Sequence, residues 1–298
     1  MPRSFLAFAP LLFVLLWSTG FIGTKGAALN ADPFAYLTLR FAIAAALMAV
    51  LTLATRSAWP TRVQGWRAAV TGLLLHAGYL GGVTYAIWLH LPAGISSVMV
   101  GLQPLLTALL SWPLVGERVT ARQWAGLMLG FLGVLLIVLG RGSAGGAYPA
   151  GALLATVFAL GCTTAGTLYQ RRYGAGMPLL SGTATQYTAS ALVMGGMMLM
   201  HGGAYLNWTP QFIFSLTWLV LVLSVGAILL LMVLIREMPA ARVGSLFYLV
   251  PPFVVVEAYL LYGERLTLLA VLGLGLSVAG VALSAWRGKS EQDVRQAG

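Results

Sequence analysis

Few side chains in this sequence could do chemistry, and most of those sit inside greasy stretches. Arg40 stands seven residues past Pro33, and Glu257 stands seven before Glu264, each in an apolar run. At 1.5 Å per helical residue both lie about 10 Å inside a helix. A charge at the centre of such a helix costs about 2.5–3.5 kcal/mol to insert. Arg40 therefore requires an interior partner or a watery cavity, unless its stem snorkels outward. An Arg40–Glu257 ion pair would satisfy both groups. It would act either as a lock between two helices or as a clamp for the carboxylate and ammonium of a zwitterionic cargo; the lock needs no cargo and is the simpler. Glu257 also offers a site for a coupling proton if burial keeps it protonated, or is a plain counter-ion if Arg40 keeps it ionised.

The stretch "LLFVLLWSTGFIGTKGAALNADP" adds Trp17, Ser18 and Lys25. In lipid, helices pack through small residues, which accounts for Gly20, Gly23 and Thr24. Trp17, Ser18 and Lys25 are candidates to face a central cavity, with snorkelling as the alternative for Lys25. His76 and Tyr79 are three apart and share a helix face. Gln103 precedes Pro104, and Tyr248 precedes Pro251-Pro252. A proline inside a helix frees the carbonyl four residues earlier, here at Val100 and Phe247. Free carbonyls at membrane depth are tolerated only against protein or water, so Pro104, Pro251 and Pro252 are expected to mark gating kinks. Aligning Pro33 with Pro178 sets Thr185-Gln186 opposite Arg40-Phe41, which makes Gln186 a further pathway candidate.

The elements that position these residues follow from composition. Of 298 residues 59% are hydrophobic and 8% charged, against about a quarter charged in a soluble chain. Lipid is the solvent such a composition fits. Seventeen basic residues are scattered in ones and twos, which disfavours nucleic acid as a partner. A membrane-spanning helix needs roughly 20 apolar residues, and such runs fall at 7–27, 34–54, 67–88, 93–114, 121–140, 150–170, 178–200, 212–235, 241–262 and 267–286. With the N-terminus in the cytoplasm, the inner loops and tail hold thirteen basic residues and the outer loops only Arg141 and Arg265. The positive-inside rule then places both termini inside. There is no phosphate-binding loop, H-E-x-x-H or G-x-S-x-G, and only Cys162 as a thiol, so neither an enzyme nor a cofactor or metal is expected.

The sequence also repeats. Shifted by 147 residues, Pro92-Ala93 falls on Pro239-Ala240, Pro104 on Pro251, Gly116-Glu117-Arg118 on Gly263-Glu264-Arg265, Gly126 on Gly273 and Gly133 on Gly280. Each copy holds five spans, an odd number, so the second is expected to be inverted, an arrangement used by secondary transporters.

The blocks "LLWSTGFIGTK", Arg40-Phe41 with "AIAAAL", "PAGISSVMVGLQPLLTALLSWPLVGERVT" and "PAARVGSLFYLVPPFVVVEAYLLYGERLT" resemble the drug/metabolite transporter superfamily, EamA type. The resemblance implies an all-α integral membrane protein of ten helices, with repeats at 7–140 and 150–286, a cytoplasmic tail at 287–298 and a central cavity. It also implies export of a small metabolite such as an amino acid, or of a drug, across a bacterial inner membrane. A channel or a scaffold without transport activity is the remaining alternative.

Overall fold

The computed structural model describes residues 3–91, 96, 99–116, 119–140, 149–202, 205–238, 240–262 and 267–285. Glu117-Arg118, Gly263-Glu264-Arg265, Pro92, Pro239, the loop at 141–148 and the tail lie outside them, as does part of the expected 93–114 span. Helices in the first half are α1 (Arg3–Ala28), α2 (Pro33–Ala54), α3 (Arg62–Gly72), α4 (Tyr79–Trp88), α5 (Gln103–Val115) and α6 (Ala121–Gly140). Those in the second half are α7 (Ala150–Tyr173), α8 (Leu179–His201), α9 (Pro210–Trp218), α10 (Ile228–Glu237), α11 (Ala240–Leu246), α12 (Val250–Tyr262) and α13 (Leu268–Ala285). Two π-helical segments, Leu73–Gly78 and Leu219–Ala227, join α3 to α4 and α9 to α10. Among the described residues the only β pairing is an isolated bridge, Ala31 to Leu206.

Local signals explain the helix starts. Asp32 caps α2 by accepting from the Phe34 and Ala35 N–H groups at 3.0 and 2.9 Å, with Pro33 in the first turn. Thr61 and Gln64 form a reciprocal capping box on α3, satisfying N–H groups that have no intrahelical acceptor. Thr209 caps α9 through Phe212 N, again with proline in the first turn. Gly116 and Gly202 end α5 and α8 at φ 77° and 80°, a conformation that disfavours any side chain.

Five helical stretches, Phe8–Ala28, Pro33–Ala54, Arg62–Trp88, Ala150–Tyr173 and Pro210–Glu237, are long and apolar enough to cross a membrane. Large apolar side chains point outward from many helices, among them Phe8, Leu154, Leu192, Met200 and Leu268. An outer surface of that kind is stable only in an apolar solvent.

Equivalent helices of the two halves meet and run antiparallel. Asp32, opening α2, touches His201, closing α8, at 2.9 Å, and Ser181 near the start of α8 donates to the Ala58 carbonyl beyond the end of α2. In the pair of α6 with α13, Gly133 lies on the backbone of Gly273 and Ser277, while Gly280 lies on Gly126 and Gly130. The glycines that register in the sequence repeat are thus the ones that let these helices touch. Elsewhere the halves exchange partners: α1 packs on α9 and the second π segment, and α7 packs on α4 and the first. Likewise α1 packs on α12, and α7 on α5.

At one end of the bundle arginines take the orphan carbonyls of helix C-termini. Arg171 donates to Ile235 O at 2.7 Å and Arg172 to Leu114 O at 2.6 Å, while Arg236 donates to Met177 O in the connection before α8. The opposite end is tied by Asp32, His201 and a Trp88 indole N–H donating to the Tyr205 hydroxyl at 3.1 Å.

The expected proline kinks take a different form. Pro104 falls in the first turn of α5, after turn residues 101–102, and Pro251 and Pro252 fall in the first turn of α12, after the 3₁₀ turn Phe247–Leu249. The chain stops and restarts helically before each proline. A first-turn N–H has no intrahelical partner to lose, so proline is tolerated there.

Candidate functional site

A half-open cavity lies between the halves, lined by Trp17, Gly20, Phe21 and Thr24 of α1, Arg40 of α2, Tyr79, Leu80 and Val83 of α4, Leu223 of the second π segment and Ile228 of α10. Trp17 is held edge-on by Phe247 at 5.6 Å and against Phe13 at 5.1 Å. The wall is aromatic and aliphatic, with one charge in it.

That charge is Arg40, only 4% exposed. Its Nε donates to the Ser224 hydroxyl at 2.9 Å and one Nη to the Tyr36 hydroxyl at 3.2 Å. No carboxylate pairs with it among the described residues. The expected Arg40–Glu257 pair does not form, because Glu257 projects from α12 toward α1, where its Oε1 accepts from the Ser18 hydroxyl at 2.5 Å. The other carboxylate oxygen, Oε2, is buried without a partner. Depth along the helices is similar for the two residues, but their helices face different neighbours, and sequence distance from a helix end carries no azimuth.

Behind Arg40 lies a layer that the π segments create. A π turn widens the helix and disturbs its i→i+4 ladder, so a carbonyl there needs another donor. The Tyr187 hydroxyl supplies one to Ser224 O at 2.6 Å. Ser224 therefore receives Arg40 on its side chain and Tyr187 on its backbone. The Tyr187 ring stacks on His76 of the first π segment at 4.4 Å and on Phe41 at 5.8 Å. His76 Nε2 in turn meets Gln186 Oε1 at 3.2 Å, leaving Nδ1 buried and unpartnered. Gly72 lies directly on the Gln186 backbone, where a Cβ would stand 2.3 Å from its carbonyl oxygen.

Of the residues singled out in the sequence, Trp17, Arg40 and Tyr79 line the cavity, and His76 and Gln186 sit in the layer behind Arg40. Ser18 and Glu257 form their own contact between α1 and α12. Gln103 donates to Thr107 at 3.2 Å and Thr167 at 3.4 Å, tying α5 to α7 away from the cavity lining. Tyr248 is fully buried, with its ring over Gly130 and its hydroxyl unpartnered. Lys25 is exposed in the last turn of α1 and does not line the cavity. Sequence reasoning missed Tyr187 and Ser224. The signal was present: Tyr187 lies 147 residues after Arg40, the offset at which α5 and α12 coincide end to end. Alignment on prolines pointed two residues earlier, since Pro33 opens α2 whereas Pro178 stands before α8.

Two helical halves, an apolar exterior and a cavity between them fit a membrane transporter, and comparison with known proteins agrees. The chain belongs to the EamA-like transporter family, whose model matches it twice, over residues 4–139 and 149–286. It is similar to the uncharacterized transporter YvbV of Bacillus subtilis (strain 168), 26% identical and covering 98% of this chain and 95% of that protein. It is also similar to a "Probable amino-acid metabolite efflux pump" of Escherichia coli (strain K12), 27% identical and covering 92% of both. A crystal structure at 22% identity aligns over 95% of this chain and 97% of its own with a TM-score of 0.77, a likeness of fold.

Proposed function

We propose that this protein is a secondary transporter with ten membrane-spanning helices in two inverted repeats, residues 7–140 and 150–286, with both termini and the tail from 287 in the cytoplasm of a bacterium. It exports a small carboxylate-bearing metabolite, the class to which amino acids belong, through the Arg40 cavity by alternating access. The antiparallel meeting of α2 with α8 and α6 with α13 supports the inversion, and the arginine-rich end of the bundle suits a cytoplasmic face. One observation carries the cargo assignment: a buried guanidinium, with no carboxylate beside it among the described residues, at the wall of a cavity between the repeats. A charge in such surroundings is retained where it meets a counter-charge from the cargo. The relative named as an amino-acid metabolite efflux pump supports the same class.

The π segments and the breaks before Pro104 and Pro251 give each repeat two places where the helical ladder is already interrupted, which suits them to flex as the cavity changes sides. Glu257, with one oxygen unpartnered, is the group available to a coupling proton. Efflux of cationic drugs fits less well, because Arg40 repels a cation. The test is counterflow of labelled amino acids and other carboxylates into liposomes containing the purified protein, with and without a pH gradient. Movement of any of them, lost in Arg40→Gln, supports the reading. No movement under either condition refutes it.

A further inference from the structure

The cavity has a cationic partner for a carboxylate but, among the described residues, no anionic partner for an ammonium. Arg40 presents five N–H donors, and two hydroxyls, Ser224 and Tyr36, take two of its bonds. It can accept a bidentate carboxylate in addition. On the acceptor side the side chains of the lining offer only the hydroxyls of Thr24 and Tyr79.

No described carboxylate compensates for this. Asp32 caps α2 and meets His201, Glu237 ends α10, and Glu257 is turned toward Ser18. An α-ammonium is joined to its carboxylate through one carbon, so seating the carboxylate on Arg40 brings the ammonium close to the same cation. It would lose its water, find only neutral hydroxyls as side-chain acceptors and feel like-charge repulsion in a poorly screened site. The side chain of the same molecule, by contrast, would meet Trp17, Phe21, Leu80, Val83, Leu223 and Ile228.

We infer that, within the carboxylate class proposed above, the site selects apolar monoanions that lack a free α-ammonium group, such as deaminated or N-acylated relatives of the aromatic and branched amino acids, over the zwitterions themselves. This rests on the assignment of the Arg40 cavity as the cargo site. It explains why the two charges that would suit a zwitterion, Arg40 and Glu257, point to different neighbours.

The experiment is isothermal titration of the purified full-length protein in detergent with compounds sharing one side chain: 3-phenylpropionate, N-acetylphenylalanine, phenylalanine and 2-phenylethylamine, and then 4-methylpentanoate against leucine. The expected result is binding of the monoanions at least tenfold tighter than of the matching zwitterions, with no binding of the amine. Arg40→Gln should weaken the monoanions at least tenfold and abolish the preference. The wild-type series carries the test even if that variant fails to fold. Zwitterions binding as tightly as monoanions, or binding of the amine, overturns the inference. Counterflow of the same compounds separates the two levels: phenylalanine moving as well as 3-phenylpropionate overturns the selectivity and leaves transport standing, whereas no compound bound or moved overturns both.

Discussion

Replacing Gly280 by alanine should drive α6 and α13 apart. A Cβ at Gly280 would stand 2.4 Å from Gly130 N, 2.6 Å from Gly126 O and 2.7 Å from Gly130 Cα, where ordinary contact begins at 3.4 Å. All three obstacles are backbone, so no rotamer change relieves them. The helices must separate by roughly 1 Å, and such a gap forfeits about a quarter to a half of the attraction of each surrounding contact. Overpacking of this kind costs about 1–3 kcal/mol. Alanine returns about 0.8–1 kcal/mol of helix propensity, so the net loss is up to about 2 kcal/mol. Gly275 is the internal control. It lies on the same helix with nothing within 4 Å of its would-be Cβ, so Gly275→Ala should stabilise by up to about 1 kcal/mol. Reversible unfolding in mixed micelles by SDS titration, followed by circular dichroism, reads both variants. Equal midpoints for the two alanines would refute the close glycine crossing.

Tyr187→Phe removes the donor from the Ser224 carbonyl and should cost about 1–3 kcal/mol of stability, while weakening cargo binding because Ser224 also orients Arg40; unchanged affinity in calorimetry would deny that link. Ser18→Ala and Glu257→Gln should couple by at least about 0.5 kcal/mol in a double-mutant cycle on unfolding free energy, and strict additivity would mean the two side chains do not interact. Asp32→Ala removes an N-cap that takes two N–H groups as well as the contact to His201, and should lose about 1–2 kcal/mol. His201→Ala keeps the cap and should lose less, an order that the same SDS titrations check.

The extent of the helices and the duplication were legible because both are written along one dimension. Apolar runs bounded by Pro, Gly and Asp32 gave the segments, and the 147-residue offset picked out Gly126, Gly133, Gly273 and Gly280 before their contacts were visible. The site was legible only in part. Trp17, Arg40 and Tyr79 stood out by residue type, and the structure gathers them at one cavity. The Arg40–Glu257 pair was an inference from depth alone, and the azimuth of α12 sends Glu257 to Ser18 instead. The π segments carry no composition signal. Leu73–Gly78 and Leu219–Ala227 read as ordinary apolar helix, so the Ser224 carbonyl that Tyr187 satisfies could not be anticipated. Gln103 and Tyr248 looked like pathway residues because they precede prolines, yet their side chains serve contacts away from the cavity lining.

The inverted relation of the two repeats is tested most directly by sidedness at equivalent exposed positions. Thr61 and Trp208 stand 147 residues apart, each just before the third helix of its half. In a Cys162→Ala background, Thr61→Cys and Trp208→Cys would each be treated with a membrane-impermeant maleimide in right-side-out and in inverted vesicles. Thr61→Cys should react only in inverted vesicles and Trp208→Cys only in right-side-out ones. Labelling of both from the same side would contradict the inversion and, with it, alternating access through the Arg40 cavity.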